Sequence, residues 1–290
     1  MRLPESVHVL VRGWMHGNVV VLRGAAPALI DTGYHTGVDD VCAAFLAHVG
    51  APVDTHLERI ALTHTHSDHG GGAAALQARS QAPVTAHPDT ARMVNDWDTE
   101  AMWLDETGQQ MPRYRVDQTI EPGETLVLGD RAWEVVWTPG HATGGIAFFD
   151  PTDGILVTGD ALWENGFGIL NPWTDGPQVF DDAARALDHI AETKARIIIP
   201  GHGSPFSGLS VAVDRARSRL DYLHRNPARL QVLVVRSCVG FLRMARPDIS
   251  AVQVRQITEE MVRGFGLPEG AVAERVAEVL GGVTAAGPRG

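Results

Sequence analysis

Cysteine is nearly missing: Cys42 and Cys238 are the two in 290 residues. They lie far apart in helix-like surroundings, and neither belongs to a C-x-x-C pair. A disulfide-stapled scaffold is therefore excluded. Both thiols are expected free and buried, as suits a cytoplasmic location. Positive charge is also short, with 24 Lys+Arg against 35 Asp+Glu and a formal net charge of -11. Phosphate backbones need clustered cations, so no nucleic-acid partner is expected. Long apolar runs are absent. No window reaches the roughly 20 residues of a membrane span, and Met1 to Val11, with Pro4 and Glu5, lacks the apolar centre of a secretory signal. No membrane partner is expected either. There is no fixed-period repeat and no low-complexity stretch. What remains is an ordinary globular composition, 44% hydrophobic and 20% charged. The length allows one large domain, or one domain with an appendage.

The most informative stretch is His64-Thr65-His66-Ser67-Asp68-His69. It follows an apolar run, Leu57 to Leu62, that reads as a buried strand. Gly70-Gly71-Gly72 and an Ala-rich helical segment, Ala73 to Ala78, come next. Alternate side chains of an extended backbone point the same way, so His64 and His66 can reach one metal ion from one side. Asp68 and His69 fall where the chain turns into the helix and can aim at a second ion. Imidazole and carboxylate together suit zinc, and also iron or manganese.

Along the chain, Val7 to Val11, Val19 to Leu22 and Ala28 to Ile30 read as short strands, the last ending in Asp31-Thr32-Gly33. Thr36 to Val49 reads as a helix with Val38, Val41, Phe45 and Val49 on one face. A strand at Pro83 to Ala86 precedes a helix at Asp89 to Asn95. Trp97 to Tyr114 is irregular and reads as a pocket wall or as a packed connection. Thr125 to Leu128 and Trp133 to Trp137 form a hairpin about Gly129-Asp130. Strands follow at Gly145 to Phe149 and Gly154 to Thr158, then a helix at Ala183 to Ile190 and a strand at Ala195 to Ile199. From Val211 the spacing is helical: Val211 to Leu223, Leu230 to Met244, Val252 to Val262 and Ala271 to Leu280. Pro227, Pro247 and Pro268 separate these helices. The tail from Gly281 is expected to fray.

Three more strands run into metal-ligand residue types. Trp133 to Trp137 leads to Thr138-Pro139-Gly140-His141, Ile155 to Thr158 to Gly159-Asp160, and Ile197 to Ile199 to Pro200-Gly201-His202-Gly203. Strand ends along one sheet edge are where α/β folds gather their sites. Each glycine lets the backbone approach an ion closely. Singly these signals are weak; with the first stretch they form a consistent set.

That set, with Asp31, resembles the five signature motifs of the metallo-β-lactamase fold superfamily, over about residues 7 to 206. Its glyoxalase II-like group of metallo-hydrolases is the nearest in kind. The resemblance implies an α/β, four-layer αββα sandwich with metals at one end of two facing sheets. It implies a catalytic domain at 1–206 and a helical C-terminal extension at 207–290. By resemblance, His64, His66 and His141 hold one metal, Asp68, His69 and His202 hold the other, and Asp160 bridges. Two Zn²⁺ are the implied cofactors, with Fe or Mn as alternatives. Asp68 and Asp160 are the implied catalytic carboxylates, and a bridging hydroxide the implied nucleophile. Asp31 is implied to orient a ligand from behind; a plain strand-end turn is its other reading.

Within the superfamily, diiron flavoprotein relatives carry Glu where this chain has His66. Nucleases of the fold add large inserts that have no room between Asp160 and His202. True β-lactamases usually lack an Asp160-type bridge. The function implied is hydrolysis of a thioester or another activated ester, lactones included. A mononuclear-iron persulfide dioxygenase is the alternative, and a phosphodiesterase ranks below it. The partner is a small-molecule substrate, with a homodimer as a further expectation. Trp14, His16, Tyr34, Trp163, Phe167 and Trp173 lie near motifs and are candidates for an apolar pocket or for core packing. Arg225, Arg229, Arg236 and Arg243 recur at near-helical intervals. They meet an anionic substrate tail or form a solvated basic face.

Overall fold

The computed structural model describes residues 2–13, 15–264 and 269–285. Trp14, Pro268 and residues 286–290 lie outside that set, and with them one pocket candidate, one expected helix break and the last part of the tail. The first half runs β1 (Val7–Leu10), β2 (Val19–Leu22), β3 (Ala28–Ile30), α1 (Val38–Val49), α2 (Val53–His56), β4 (Arg59–Ala61), α3 (Ser67–Gly70), α4 (Ala73–Ser80), β5 (Val84–Ala86), α5 (Pro88–Asp96), α6 (Leu104–Thr107) and β6 (Gln118–Thr119). The second half runs β7 (Thr125–Leu128), β8 (Arg131–Trp137), β9 (Ile146–Asp150), β10 (Ile155–Gly159), α7 (Val179–Glu192), β11 (Ile197–Pro200), α8 (Leu209–Arg225), α9 (Pro227–Ala245), α10 (Ala251–Gly264) and α11 (Glu269–Ala285).

Two sheets result. One has the order β1-β2-β3-β4-β5-β6, the other β11-β10-β9-β8-β7. β3, β4, β5 and β6 pair in parallel, as do β10 and β11. The period-2 alternation of each strand divides its side chains between two cores. Val20 and Leu22 of β2 face the second sheet, where Trp133, Val135, Phe148, Ile155, Val157 and Ile199 meet them. Val19 and Val21 point the other way, onto Val41 and Phe45 of α1 and Leu76 of α4. In the second sheet Leu156 and Ile198 face outward onto Phe180, Leu187 and Ile190 of α7 and Leu209, Val213 and Leu220 of α8. Helix, sheet, sheet and helix stack in that order, and the four-layer αββα sandwich is the observed fold.

Local chemistry sets the breaks. Gly50 closes α1 in the left-handed region (φ 84°), its N–H reaching Leu46 O. Pro88 opens α5, and His87 Nδ1 accepts from Asp89 N. Gly129 and Asp130 both have positive φ, 57° and 62°, the type I′ geometry that makes the β7–β8 hairpin tight.

Several features differ from the sequence reading. The expected strand Leu57 to Leu62 shortens to β4, because Val53–His56 forms a helical turn before it and, past the Leu62 N–H bond to Thr85 O, the chain from Thr63 to His66 leaves the ladder. His64 and His66 thus sit on a loop rather than a strand. The helix expected from Thr36 begins as a 3₁₀ turn at His35–Gly37. α11 continues to Ala285, where fraying was expected from Gly281. Cys238 is buried, but Cys42 is half-buried, because α1 turns it toward Arg79 at the edge of the core. The C-terminal helices do not hang free. α8 shares the outer core with α7, and α9, α10 and α11 build a further core from Val235, Val239, Val254, Val262, Val272, Val276 and Val279. Trp103, beside α6, joins that core.

Candidate metal centre

Each element delivers its residue at a strand end. The loop after β4 carries His64 and His66, and α3 carries Asp68 and His69. β8 leads to His141, β10 to Asp160 and β11 to His202. The seven side chains converge on one spot. Their potential ligand atoms form three overlapping sets, each with all atoms within 4.8 Å of one another: His64, His66 and His141; His64, His69 and Asp160; Asp68, His69 and His202. The backbone makes room at Gly201, where a Cβ would stand 2.1 Å from Asp160 Oδ1 and 2.7 Å from His69 Cε1.

The ring nitrogens are already committed in a way that suits a cation. His141 Nδ1 donates to Ile169 O at 2.7 Å, which leaves Nε2 with its lone pair. That Nε2 lies 2.8 Å from His66 Nδ1 and can accept a hydrogen bond from it. His69 Nδ1 donates to Asp31 Oδ2 at 2.8 Å, and His64 Nδ1 meets Thr63 Oγ1 at 3.0 Å. The opposite nitrogens, His64 Nε2 and His69 Nε2, are buried with no hydrogen-bond partner. An unsatisfied buried polar atom costs about 1–3 kcal/mol, and ligation of a cation would satisfy each of them. The donor set, five imidazoles and two carboxylates, is that of a metal-binding His/Asp site.

Electrostatics divides the cluster in two. Burial, then the neighbouring imidazoles, pushes His64 well below its ordinary pKa and takes His66 down to about 3. Burial would also lower His202, but Asp160 and Asp68 outweigh it and raise it to about 9. His69 is likewise raised against burial by Asp160, Asp68 and Asp31. Burial works to raise the Asp160 carboxyl, yet His202 and His69 hold it well below the carboxylate range. His202 Nε2 lies 3.1 Å from Asp68 Oδ2 and 3.5 Å from Asp160 Oδ2. A cation entering this side displaces protons from the imidazoles.

Asp31 stands behind the cluster. Besides His69, it accepts Thr63 N on Oδ1 and Thr63 Oγ1 on Oδ2, both at 2.8 Å. One carboxylate thereby fixes His69 directly and His64 through Thr63.

A cavity of about 510 Å³ opens over the cluster. Trp163 and Phe167 line it, as do Trp103, Thr107 and Gln109 from the irregular Trp97 to Tyr114 segment. Tyr34 and Trp173 do not. Tyr34 is 1% exposed and packs against Phe241, and Trp173 packs among apolar side chains. His16 sits edge-on to Tyr34. Arg236 faces the cavity, whereas Arg225 and Arg229 line a separate cleft. Sequence reading missed Met15, Thr63, Arg219 and Asn18. Asn18 Nδ2 donates to Pro200 O at 2.9 Å and Gly203 O at 2.7 Å, pinning the His202 turn. An Asn between Gly17 and a Val run carries no signal of that contact. Among the described residues no helix is long and apolar enough to cross a membrane.

Comparisons with known proteins agree with this geometry. The metallo-beta-lactamase domain-containing protein 1 of Xenopus laevis is 29% identical over 219 residues, 70% of this chain and 82% of that protein. The hydroxyacylglutathione hydrolase of Maricaulis maris is 28% identical over 146 residues, 48% of this chain and 47% of its own. An acyl-coenzyme A thioesterase of Homo sapiens is 28% identical over 159 residues, 50% of this chain and 55% of its own. The chain thus spans about half the length of the last two. A metallo-beta-lactamase family protein of Thermus thermophilus superposes with a TM-score of 0.61 at 22% identity, over 100% of this chain and 97% of that one; this likeness concerns the fold. The family model for the metallo-beta-lactamase superfamily matches residues 12–202, the span that carries Asp31 and all seven clustered side chains, and the chain belongs to that superfamily.

Proposed function

We propose that this metallo-hydrolase cleaves a thioester or another activated ester, lactones included, at a dinuclear zinc centre. One observation carries the reading: three overlapping sets of His and Asp ligand atoms converge beneath a cavity of about 510 Å³, with Asp160 Oδ2 3.5 Å from both His141 Nε2 and His202 Nε2. In this assignment His64, His66 and His141 would hold one ion and Asp68, His69 and His202 the other, with Asp160 within reach of both sets. Such an ion pair, when bound, supplies an acidified water and a Lewis acid for the carbonyl. The protein's own residues do the rest. Asp31 and Thr63 hold the His69 and His64 rings in their ligating tautomers. Trp163 Nε1 donates to Asp160 Oδ1 at 3.1 Å and keeps that carboxylate turned toward the cluster. Trp103, with its ring 4.6 Å from His66, walls the site and limits water. The thioester preference draws support from the relatives named as a hydroxyacylglutathione hydrolase and an acyl-coenzyme A thioesterase.

The test is turnover by metal-quantified protein on a panel of thioesters, lactones, β-lactams and phosphodiesters, with oxygen uptake on a persulfide alongside. Thioester or lactone hydrolysis with two zinc ions per chain is expected. Oxygen uptake with a single iron, or cleavage confined to phosphodiesters, would overturn the proposal.

A further inference from the structure

Arg219 of α8 lines the same cavity with its guanidinium over the Phe167 ring, 5.9 Å from the centroid. Its Nε is buried with no hydrogen-bond partner, and no carboxylate pairs with it among the described residues. Other arginines of this chain are matched: Arg12 with Asp40, Arg79 with Asp54, Arg131 with Asp150 and Arg217 with Asp188. A half-buried cation without a counter-charge is unfavourable, and nothing in the metal centre uses it. Burial draws its pKa below the ordinary value. Arg236 of α9 faces the cavity from the neighbouring helix and also lacks an ion pair among the described residues. By contrast, Arg225 and Arg229 are engaged by Asp221 and Glu278.

Glycine contacts place Arg219 close to the cluster. A Cβ on Gly166 would meet Arg219 Cδ at 2.7 Å, and one on Gly168 would meet His141 Nδ1 at 2.5 Å. Two residues of chain span at most about 7 Å. The same cavity has an apolar wall in Phe167, Ile169, Leu233, Val234 and Phe241.

We propose that Arg219, assisted by Arg236, receives an anionic group of the substrate, and that the apolar wall takes the hydrocarbon joining that anion to the cleaved bond. A carboxylate, sulfonate or phosphate matches the guanidinium fork. The inference rests on the hydrolase reading above and narrows its substrates to amphipathic anions.

The experiment uses the zinc-loaded enzyme and matched thioesters. One set carries a free carboxylate at the far end of the acyl chain, a second carries it on the leaving thiol, and a third is the neutral methyl ester of each. A charge-assisted hydrogen bond contributes about 1.5–3 kcal/mol, so kcat/KM should favour an anionic member over its neutral partner by about tenfold to a hundredfold. Which set shows the preference identifies the portion that carries the charge. Arg219→Gln should reduce that ratio by about tenfold or more, chiefly through KM. Arg219→Lys should keep part of it. Arg236→Gln, at an exposed position where folding is not at issue, should reduce it by a smaller factor.

Binding of hydrolysis-inert thioethers, a carboxylate against its carboxamide, followed by tryptophan fluorescence, gives a readout that needs no turnover. Arg219-dependent binding of the carboxylate without hydrolysis of any ester would sink the hydrolase reading and leave the anion site standing. A ratio near one in the wild type, in both turnover and binding, refutes the anion site. So does a ratio unchanged in both Arg219→Gln and Arg236→Gln.

Discussion

Replacing Asp31 by Asn isolates the support behind the metal centre. The backbone there has φ 59°, a left-handed conformation that Asn also adopts, so the substitution adds no strain. Oδ1 can keep Thr63 N–H, but the amide NH₂ then takes the place of Oδ2. Oδ2 accepts from both His69 Nδ1 and Thr63 Oγ1 at 2.8 Å. Thr63 can turn its hydroxyl and accept from the new amide. His69 cannot: its Nδ1–H now faces a donor, and the ring gains by moving its proton to Nε2, the nitrogen needed for a metal. One hydrogen bond to a charged acceptor is lost, about 2 kcal/mol. That converts to about thirtyfold in affinity, within the tenfold to hundredfold typical of such partners. Zinc titration of metal-free wild type and variant against a chromophoric chelator measures the change. Melting both proteins in excess chelator separates it from a general loss of stability. An unchanged affinity with two ions retained would refute the reasoning. So would a stability loss without chelator no larger than the loss in its presence.

Three further outcomes follow from the same structure. Asp160→Asn keeps size but removes the charge shared between the two sets. It should cut kcat by roughly two powers of ten with a smaller change in KM, measured beside metal content; near-normal turnover with both ions bound would make Asp160 a mere strand-end cap. Burial raises Asp175, which accepts from Trp103 Nε1 at 3.4 Å, from 3.8 to about 6. Its folded pKa is above the unfolded one, so its contribution is present below about pH 4 and is lost as pH rises through about 6, by at most about 3 kcal/mol. Chemical denaturation from pH 4 to 8 should show that slope in wild type and not in Asp175→Asn. Removing residues 207–290, proposed here as a helical extension of a catalytic unit at 1–206, strips Leu209, Val213, Ala216 and Leu220 from the core over α7; a soluble, folded truncation with unchanged kcat/KM would contradict that packing.

Most of the cluster was legible because its signals are local. Three imidazoles and a carboxylate within six residues announce a site, and a strand ending in Gly-Asp or Gly-His repeats the message at Asp160 and His202. The sandwich was legible only through the resemblance those motifs carry; Val19 to Leu22 is apolar at every position, which marks a strand buried on both faces without telling which residue meets which core. What escaped depends on contacts between distant segments. Asn18, before β2, reaches Pro200 at the end of β11 and Gly203 beyond it, and no spacing rule links those positions. The aromatics show the same limit. Tyr34 and Trp163 both neighbour motifs, yet Tyr34 is turned into the packing while Trp163 opens to the cavity. Leu233, Val234 and Phe241 look like any helix core residues in sequence, and only the placement of α9 makes them a wall.

The cavity's two sides have different origins. Its floor comes from strand ends between Asp31 and His202. Its ceiling is carried largely by α9, with Arg219 of α8 beside it, and α9 is seated on a valine-rich core of its own. Swaps among apolar side chains of similar volume in such a core usually cost less than about 1.5 kcal/mol. The ceiling can therefore be remoulded by mutation while the floor keeps its chemistry. Laboratory selection for new substrates should accumulate changes at Leu233, Val234, Ser237 and Phe241, and leave the seven clustered side chains untouched.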